Sequence, residues 1–245
     1  MDPRGKVALI TGGARVGRSV AEWLATRGCD VALTYRASRD AAETTATALR
    51  EQGVRAITIA ADLADPASAA ATIATVRNGL GRLDILVTMA SVYGKTPLEQ
   101  LDDEALRRNL EADMMSVYRL ALAAAPLMRA GGGGRVVAFA DWLPASGRPR
   151  YRGYLPYFVA KGAVVALVQA LALELAPTIL VNAVAPGPIL APPDFTEEQK
   201  AEVMRVTPLG RWGGPDEIAR AVLFLIETEF VTGECLRVDG GRHLN

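Results

Sequence analysis

Val7-Ala8-Leu9-Ile10 runs straight into Thr11-Gly12-Gly13-Ala14-Arg15-Val16-Gly17-Arg18, and the reading of this stretch decides the fold. The four apolar residues lack the period-two alternation of a sheet that faces water on one side, so they read as a strand covered on both faces. The glycines mark a tight turn, and Val16–Arg27 then has the apolar spacing of an amphipathic helix. Strand, glycine turn and helix in that order make a cradle for a dinucleotide. Small residues let the backbone approach a pyrophosphate, and the helix N-terminus offers oriented N–H groups. Glycines after a strand are also ordinary turn residues, so the context must carry part of the reading.

Outward from that loop, strand-like and helical runs alternate along the chain. The sequence predicts them at Val31–Thr34, Ala41–Gln52, Ala56–Ala60, Ala67–Asn78, Ile85–Val87, Glu104–Arg129, Val136–Phe139, Tyr157–Ala176 and Leu180–Ala183. A helix at Asp216–Ile226 and a last strand at Cys235–Val238 complete the series. The predicted fold class is α/β: a doubly wound parallel β-sheet with helices on both faces, a Rossmann fold, as a single domain over residues 1–245. Pro186 to Trp212 is rich in proline and lacks a regular pattern. It follows a strand at the carboxyl edge of the sheet, where open α/β folds bind ligands, so residues 187–212 read as a substrate loop.

Composition removes several functions. Of 245 residues, 50% are hydrophobic and 22% charged, which suits a globular chain with a sizeable core. Lys+Arg and Asp+Glu are equal at 27 each, which gives no electrostatic case for nucleic acid or an anionic membrane, and nothing in the sequence points to a local basic patch. Cys29 and Cys235 are the only cysteines and have no metal-ligand spacing, so a reducing cytoplasmic compartment is expected. The lone histidine, His243, sits two residues from the end, which argues against Ser-His-Asp or Cys-His catalysis and against a multi-histidine metal site. The first apolar run is too short for a signal peptide, and the most apolar region, Phe158–Ala176, carries Lys161 and Glu174; a soluble protein is expected.

The predicted second strand ends at Tyr35, eighteen residues past Gly17, where NAD-binding sheets usually place an acid for the ribose 2′-hydroxyl. No acid stands there. Arg36 follows, with Arg15 in the glycine loop and Ser38 and Arg39 close by, and these groups suit a 2′-phosphate. NADP(H) is therefore the expected cofactor, although Arg36 and Arg39 also read as solvated surface charges. Asp62-Leu63 stands where an adenine ring is hydrogen-bonded, or caps the next helix.

Tyr157 and Lys161 lie four apart at the start of a predicted helix, so both project from one face. An ammonium beside a phenol favours phenolate and lowers the tyrosine pKa from about 10, which would let it exchange a proton with a carbonyl, alcohol or imine. Asp141 follows the preceding strand at the same sheet edge. Lysine is scarce, at Lys6, Lys95, Lys161 and Lys200 only, so one inside an apolar run suggests a requirement for ammonium.

TGGARVG after strand one, ILVTMAS, Tyr-x-x-x-Lys, VNAVAPGPI and the closing VTGECLRVDGG occur in this order over essentially the whole chain. Together they resemble the short-chain dehydrogenase/reductase family. The resemblance implies NAD(P)-dependent hydride transfer, Tyr157 as proton donor, Lys161 bonding the nicotinamide ribose and tuning Tyr157, and usually a homotetramer. It implies cofactor contacts from Gly12, Arg15, Val16, Gly17, Tyr35, Arg36, Ser38, Asp62, Leu63, Ala90, Tyr157, Lys161, Pro186, Gly187 and Ile189.

Departures from the family pattern redirect the substrate. Where most members carry a carbonyl-polarising serine, this chain has Asp141. A carboxylate beside a ketone repels developing oxyanion charge unless it is protonated, whereas it matches the N–H groups of an aminopyrimidine. This exchange, with Ala90-Ser91-x-Tyr93, Arg15, the AKGA after Tyr157 and the terminal GGRHL, is similar to pteridine reductases and dihydromonapterin reductases. By that likeness Arg15, Ser91, Tyr93, Asp141 and Tyr157 would meet a pterin, with Tyr93 stacking on it and the His243 tail approaching a neighbouring subunit's site. Tyr93 also reads as a loop aromatic capping the sheet edge.

Gly12 to Gly17 spans five residues where the family usually has six, and Thr88-Met89 replaces its paired asparagines. Asp113 stands where an asparagine helps the proton relay, with Asn109 a turn earlier, which completes a catalytic set of Asp141, Tyr157, Lys161 and Asp113. Tyr154, seven before Lys161, has the spacing of enoyl-thioester reductases. The expected function is an NADPH-dependent reductase of a dihydropterin-like C=N bond; the alternatives are a carbonyl or 3-oxoacyl-thioester (or enoyl) reductase and, from another class, an NADP-sensing binding protein. Each takes a small molecule and needs no metal, nucleic acid or membrane.

Overall fold

The computed structural model describes residues 1–12 and 14–245. Its strands are β1 (Val7–Thr11), β2 (Asp30–Tyr35), β3 (Ala56–Ala60), β4 (Ile85–Thr88), β5 (Gly134–Phe139), β6 (Ile179–Pro186) and β7 (Cys235–Val238). Among the described residues these form one seven-stranded parallel sheet in the order β3-β2-β1-β4-β5-β6-β7. The order reverses between β1 and β4, so the connections diverge there and open a crevice beyond the carboxyl ends.

The helices are α1 (Val16–Ala25), α2 (Arg39–Glu51), α3 (Ser68–Leu80), α4 (Asp103–Asn109), α5 (Ser116–Ala130), α6 (Trp142–Ala145), α7 (Leu155–Leu175), α8 (Glu197–Arg205) and α9 (Pro215–Glu227). β1, β4 and β5 are buried along their whole length, as continuous apolar runs require. Alternate residues feed two cores. Leu9, Leu86 and Val136 pack with Ile73, Leu120 and Val164 on the α3, α5 and α7 face. Ile10, Val87 and Val137 pack with Leu24, Leu49 and Val222 on the α1, α2 and α9 face.

The structure corrects three expectations. The helix predicted over Glu104–Arg129 is interrupted by a π-helical turn, Leu110–Met115, between α4 and α5; such turns widen a helix locally and re-aim its side chains. The patternless segment before Trp212 contains α8, whose start is fixed by a capping box. Gln199 N–H donates to the Thr196 hydroxyl at 3.2 Å, and Thr196 N–H donates to the Gln199 side chain at 2.8 Å. The third concerns α7, which begins at Leu155, two residues before Tyr157, with Pro156 in its first turn. With 21 residues and a mean hydropathy of 1.8, α7 is long and apolar enough to cross a membrane. Its Ala160, Lys161, Val164, Val168, Leu171 and Leu175 are buried within the fold, so one face of α7 belongs to the core, while Leu155, Val159 and Leu173 are exposed on another.

Candidate active site

The β1–α1 side of the crevice is built from backbone. Gly12 takes φ +75°, and a Cβ there would lie 3.1 Å from the Ala90 nitrogen. A Cβ on Gly17 would lie 2.3 Å from the Gly12 carbonyl oxygen, so helix and loop approach as closely as only glycine permits. The Thr11 hydroxyl accepts from the N–H groups of Met89 at 3.0 Å and Ala90 at 3.1 Å, tying β1 to the end of β4. Gly13 lies outside the described residues. The shortened loop is closed with Arg15 at φ 55°, a conformation that costs a non-glycine residue of order 1–3 kcal/mol. Arg15 makes no side-chain cap on α1, and the first turn of α1 holds no acid. The positive end of the helix therefore faces the crevice unneutralised, which fits a dinucleotide's phosphates.

Gly12, Arg15, Val16, Gly17, Gly187 and Ile189 line one cavity of about 1430 Å³ that also reaches Asp141, Tyr157 and Tyr93. Arg36 and Ser38 are exposed just past β2, with Tyr35 half-buried at its end. Asp62 is exposed and accepts from the Ala64 N–H at 3.1 Å, which makes it a turn cap, while the Leu63 side chain belongs to the core. Ala90 is half-buried beside Gly12, and Pro186 ends β6.

The other side of the crevice is built from ionisable side chains. Asp141 caps α6: its Oδ1 accepts from the Leu143 N–H at 2.9 Å, and its Oδ2 accepts from the Tyr157 hydroxyl at 3.0 Å. Lys161, one turn beyond Tyr157 on α7, is only 3% exposed, and its Nζ donates to the Phe139 carbonyl at 2.8 Å. The π-helical turn aims Asp113, 1% exposed, at the same ammonium, with 3.1 Å between Nζ and Oδ1. Asn109 is turned elsewhere, donating to the Val92 carbonyl at 2.8 Å.

This pairing overturns the expected phenolate. Burial, and next the adjacent Asp141 carboxyl, hold the Tyr157 hydroxyl well above the usual phenol pKa, and Asp113 pushes the same way. Lys161 lies 5.8 Å from the centre of the Tyr157 ring, with its charge matched by Asp113. Burial also raises the Asp141 carboxyl, against opposing hydrogen bonds from Leu143 and Tyr157 and the charge of Lys161. In this state the Tyr157 hydroxyl keeps its proton.

Above this pair stands an aromatic wall. The Tyr93 ring stacks on Tyr154 at 5.0 Å and meets Tyr157 edge-on at 4.9 Å, and it remains 63% exposed. Arg15, Tyr93, Asp141 and Tyr157 thus share the cavity, whereas Ser91 is exposed and does not line it. Leu98, Leu101, Leu143, Phe158, Phe195 and Val203 also line it and escaped the sequence reading. Thr196-x-x-Gln199 was the readable signal for Phe195 and Val203, since it announces a helix inside the loop. The carboxyl-terminal tail folds back, with His243 Nδ1 2.7 Å from Asp239 Oδ2. No group of three or more His, Cys, Asp or Glu among the described residues is placed to hold a metal.

Residues 13–243 match the family model described as Enoyl-(Acyl carrier protein) reductase. The chain is 34% identical to the 3-oxoacyl-[acyl-carrier-protein] reductase FabG of Escherichia coli (strain K12), over 100% of both proteins. It superposes with a TM-score of 0.91 on a short-chain dehydrogenase/reductase from Serratia marcescens, 34% identical, covering 99% of this chain and 100% of that one. A blue fluorescent protein from a metagenomic library, solved in complex with NADPH, superposes with a TM-score of 0.89 at 30% identity over 99% of each chain. A likeness that runs from the glycine loop to the tail, on a parallel sheet with Tyr157 and Lys161 at its crevice, makes this chain an oxidoreductase of the short-chain dehydrogenase/reductase family.

Proposed function

We propose that this oxidoreductase uses NADPH to reduce the carbonyl of an apolar, acyl-type substrate, of the kind that 3-oxoacyl thioesters represent. The observation that carries the reading is the wall of the cavity beside Tyr157: Leu98, Leu101, Leu143, Phe158, Leu190, Phe195 and Val203. An aliphatic chain gains by leaving water there. A pterin edge bears several donors and acceptors, and each left unpaired against such a wall costs ~1–3 kcal/mol. The full-length likeness to a 3-oxoacyl reductase supports the same substrate class.

For the cofactor, the pair Arg36 and Ser38 beyond β2 supports NADP(H) over NAD(H). Gly12, Arg15, Val16, Gly17, Ala90, Pro186, Gly187 and Ile189 would hold it, with Lys161 and Tyr157 at its nicotinamide ribose. When bound, it supplies hydride to the substrate carbon. The chain's own groups manage the proton. Tyr157, kept protonated first of all by burial, meets the substrate oxygen as donor. Asp141 in its protonated form adds a second O–H, which can turn to the Tyr157 oxygen once that proton has left. An ionised Asp141 would oppose the negative charge that forms on the substrate oxygen and on Tyr157, and burial pushes its carboxyl toward the protonated form that ketone chemistry needs.

A dihydropterin is the second reading, favoured by the flat Tyr93–Tyr154 stack beside Asp141, where the carboxylate would accept from ring N–H groups. NADPH consumption with an acetoacetyl thioester and with a 7,8-dihydropterin separates the two. Thioester turnover that declines as pH rises through the raised pKa of Asp141 is expected, because the needed form is the protonated one. Turnover of the pterin alone would hand the site to the second reading.

We further propose a homotetramer, supported by the exposed apolar side chains Tyr118 and Leu122 on α5 and Val159 and Leu173 on α7, and a cytoplasmic location, supported by the full-length likeness to FabG. Residues 187–212, with α8, serve as the substrate loop of a single domain.

A further inference from the structure

The mouth of the cavity carries a charge pattern that the balanced composition hides. Residues 89–98, 142–158 and 240–245 supply one side of it, and none of these segments contains an Asp or Glu, while α8 on the other side supplies Glu198 and Glu202. The three segments do contain Lys95, Arg148, Arg150, Arg152 and Arg242. The fold gathers these cations at one rim. Arg152 and Arg242 line the cavity, and the Lys95 stem packs over Gly153, whose carbonyl accepts from the Thr96 N–H at 2.7 Å. Arg148 donates to the His243 carbonyl at 3.2 Å, which ties the arginine loop to the tail. The guanidinium carbons of Arg150 and Arg242 lie 5.8 and 5.9 Å from the ring centre of the buried Trp142.

Among the described residues, no carboxylate comes within 4.0 Å of any of the five, although twelve other Lys and Arg side chains do find one. The acids that face the cavity are otherwise placed. Asp141 is at its base, bonded to Tyr157 and Leu143; Glu202 on α8 is paired with Arg205 at 2.7 Å; Glu198 is exposed on α8. The patch was not legible in the sequence because its cations come from three separated segments, and the acids nearest to it, Glu198 and Glu202 beside Arg242, come from a fourth.

Two guanidinium groups held at one indole gain cation–π attraction and repel each other, and an anion within reach of the rim turns the repulsion into attraction. We infer that this rim receives an anionic group, phosphate or carboxylate, carried at the end of the substrate far from the carbon that is reduced, with Arg150 and Arg242 beside Trp142 as its main donors. The substrate is then two-ended, with an apolar body in the cavity and a charged terminus at the mouth. The inference rests on the carbonyl-reductase reading for the body alone.

Its test compares substrates that share an acyl group and differ in charge: acetoacetyl-coenzyme A, which carries phosphates, and the neutral acetoacetyl thioester of N-acetylcysteamine. The pair 7-oxooctanoate and its ethyl ester does the same for a carboxylate. Arg150→Ala with Arg242→Ala is expected to raise KM for an anionic member by about tenfold or more, leaving kcat and the neutral member's KM within about twofold. The shift falls on the coenzyme A thioester for a phosphate rim and on 7-oxooctanoate for a carboxylate rim. The double lysine variant should restore part of the loss, since it keeps the charge and loses the fork. Salt should raise the anionic KM in the unmodified protein and leave it nearly flat in the double alanine variant.

Equal KM shifts for charged and neutral substrates would overturn the inference and leave the arginines as packing for Trp142, and so would no shift at all. If no carbonyl substrate is turned over, the functional reading fails and the rim is read separately. With the protein saturated in NADP⁺, quenching of tryptophan fluorescence by coenzyme A but not by pantetheine, lost in the double alanine variant, supports the anion site; equal quenching by both overturns it.

Discussion

The two sides of the crevice are made of different material. On the β1–α1 side, the approach of Gly17 to the Gly12 carbonyl, the turn at Gly12 and the free end of α1 are backbone features, fixed by steric fit. On the β5–α7 side, Asp141, Tyr157, Lys161 and Asp113 are side chains whose behaviour depends on one another. A backbone site carries its function in its shape. An ionisable site carries it in its neighbours, and here the neighbours come from β5, the π-helical turn, α6 and α7. Substitutions on the two sides should therefore fail differently.

The largest effect is expected at Tyr157. Tyr157→Phe removes the proton donor and little else, so kcat should fall by ~10²–10⁴-fold while NADPH affinity, read by fluorescence titration, stays within about twofold of the unmodified protein. A parallel collapse of NADPH binding would make Tyr157 a wall of the site and erase the distinction between the two sides. The same variant separates a catalyst from a nucleotide sensor, since a sensor has no turnover to lose.

Gly17→Ala should show the reverse pattern. Its new Cβ would sit 2.3 Å from the Gly12 oxygen, so the loop must move. Overpacking of this kind costs about 1–3 kcal/mol, and the displaced N–H groups should weaken NADPH binding by roughly ten- to a hundredfold at that cost. Turnover at saturating NADPH should remain near that of the unmodified protein. An unchanged affinity would mean that the cradle does not depend on the close contact between helix and loop.

What was legible in the sequence follows the same division. Val7–Ile10, Ile85–Val87 and Val136–Phe139 read as central strands because burial on both faces leaves no polar alternation, and the sheet order bears this out. The glycine loop was legible because few residue types fit such a turn. The direction of the Tyr157 pKa was not, since i,i+4 spacing brings Lys161 near but says nothing of Phe139 or Asp113, which take up its hydrogen bond and its charge. The π-helical turn was hidden because it changes hydrogen-bond register within an ordinary helical pattern. α8 was missed for a different reason: it buries no residue, so only its capping box announced it.

The smallest and most diagnostic effect is expected at Asp113, which touches Lys161 and reaches the reaction through it. Asp113→Asn keeps the shape and removes one negative charge beneath the ammonium, so the charge of Lys161 acts more fully on its neighbours. A nearby cation favours the ionised form of both a phenol and a carboxyl, so the pKa values of Tyr157 and Asp141 should both move down from their raised positions. Reduction needs the protonated form of each group, hence the alkaline fall in kcat should begin at lower pH in the variant. At pH values below that fall, kcat should change by only a few-fold, because the donor is intact. A merely structural role for Asp113 would lower kcat evenly at every pH and leave the profile in place. Titration of the near-ultraviolet phenolate band, with Tyr157→Phe as the blank, checks the same shift without turnover. A downward move in both measurements would make Asp113 the residue that keeps this site in its proton-donating state. A fixed profile would return that role to burial alone.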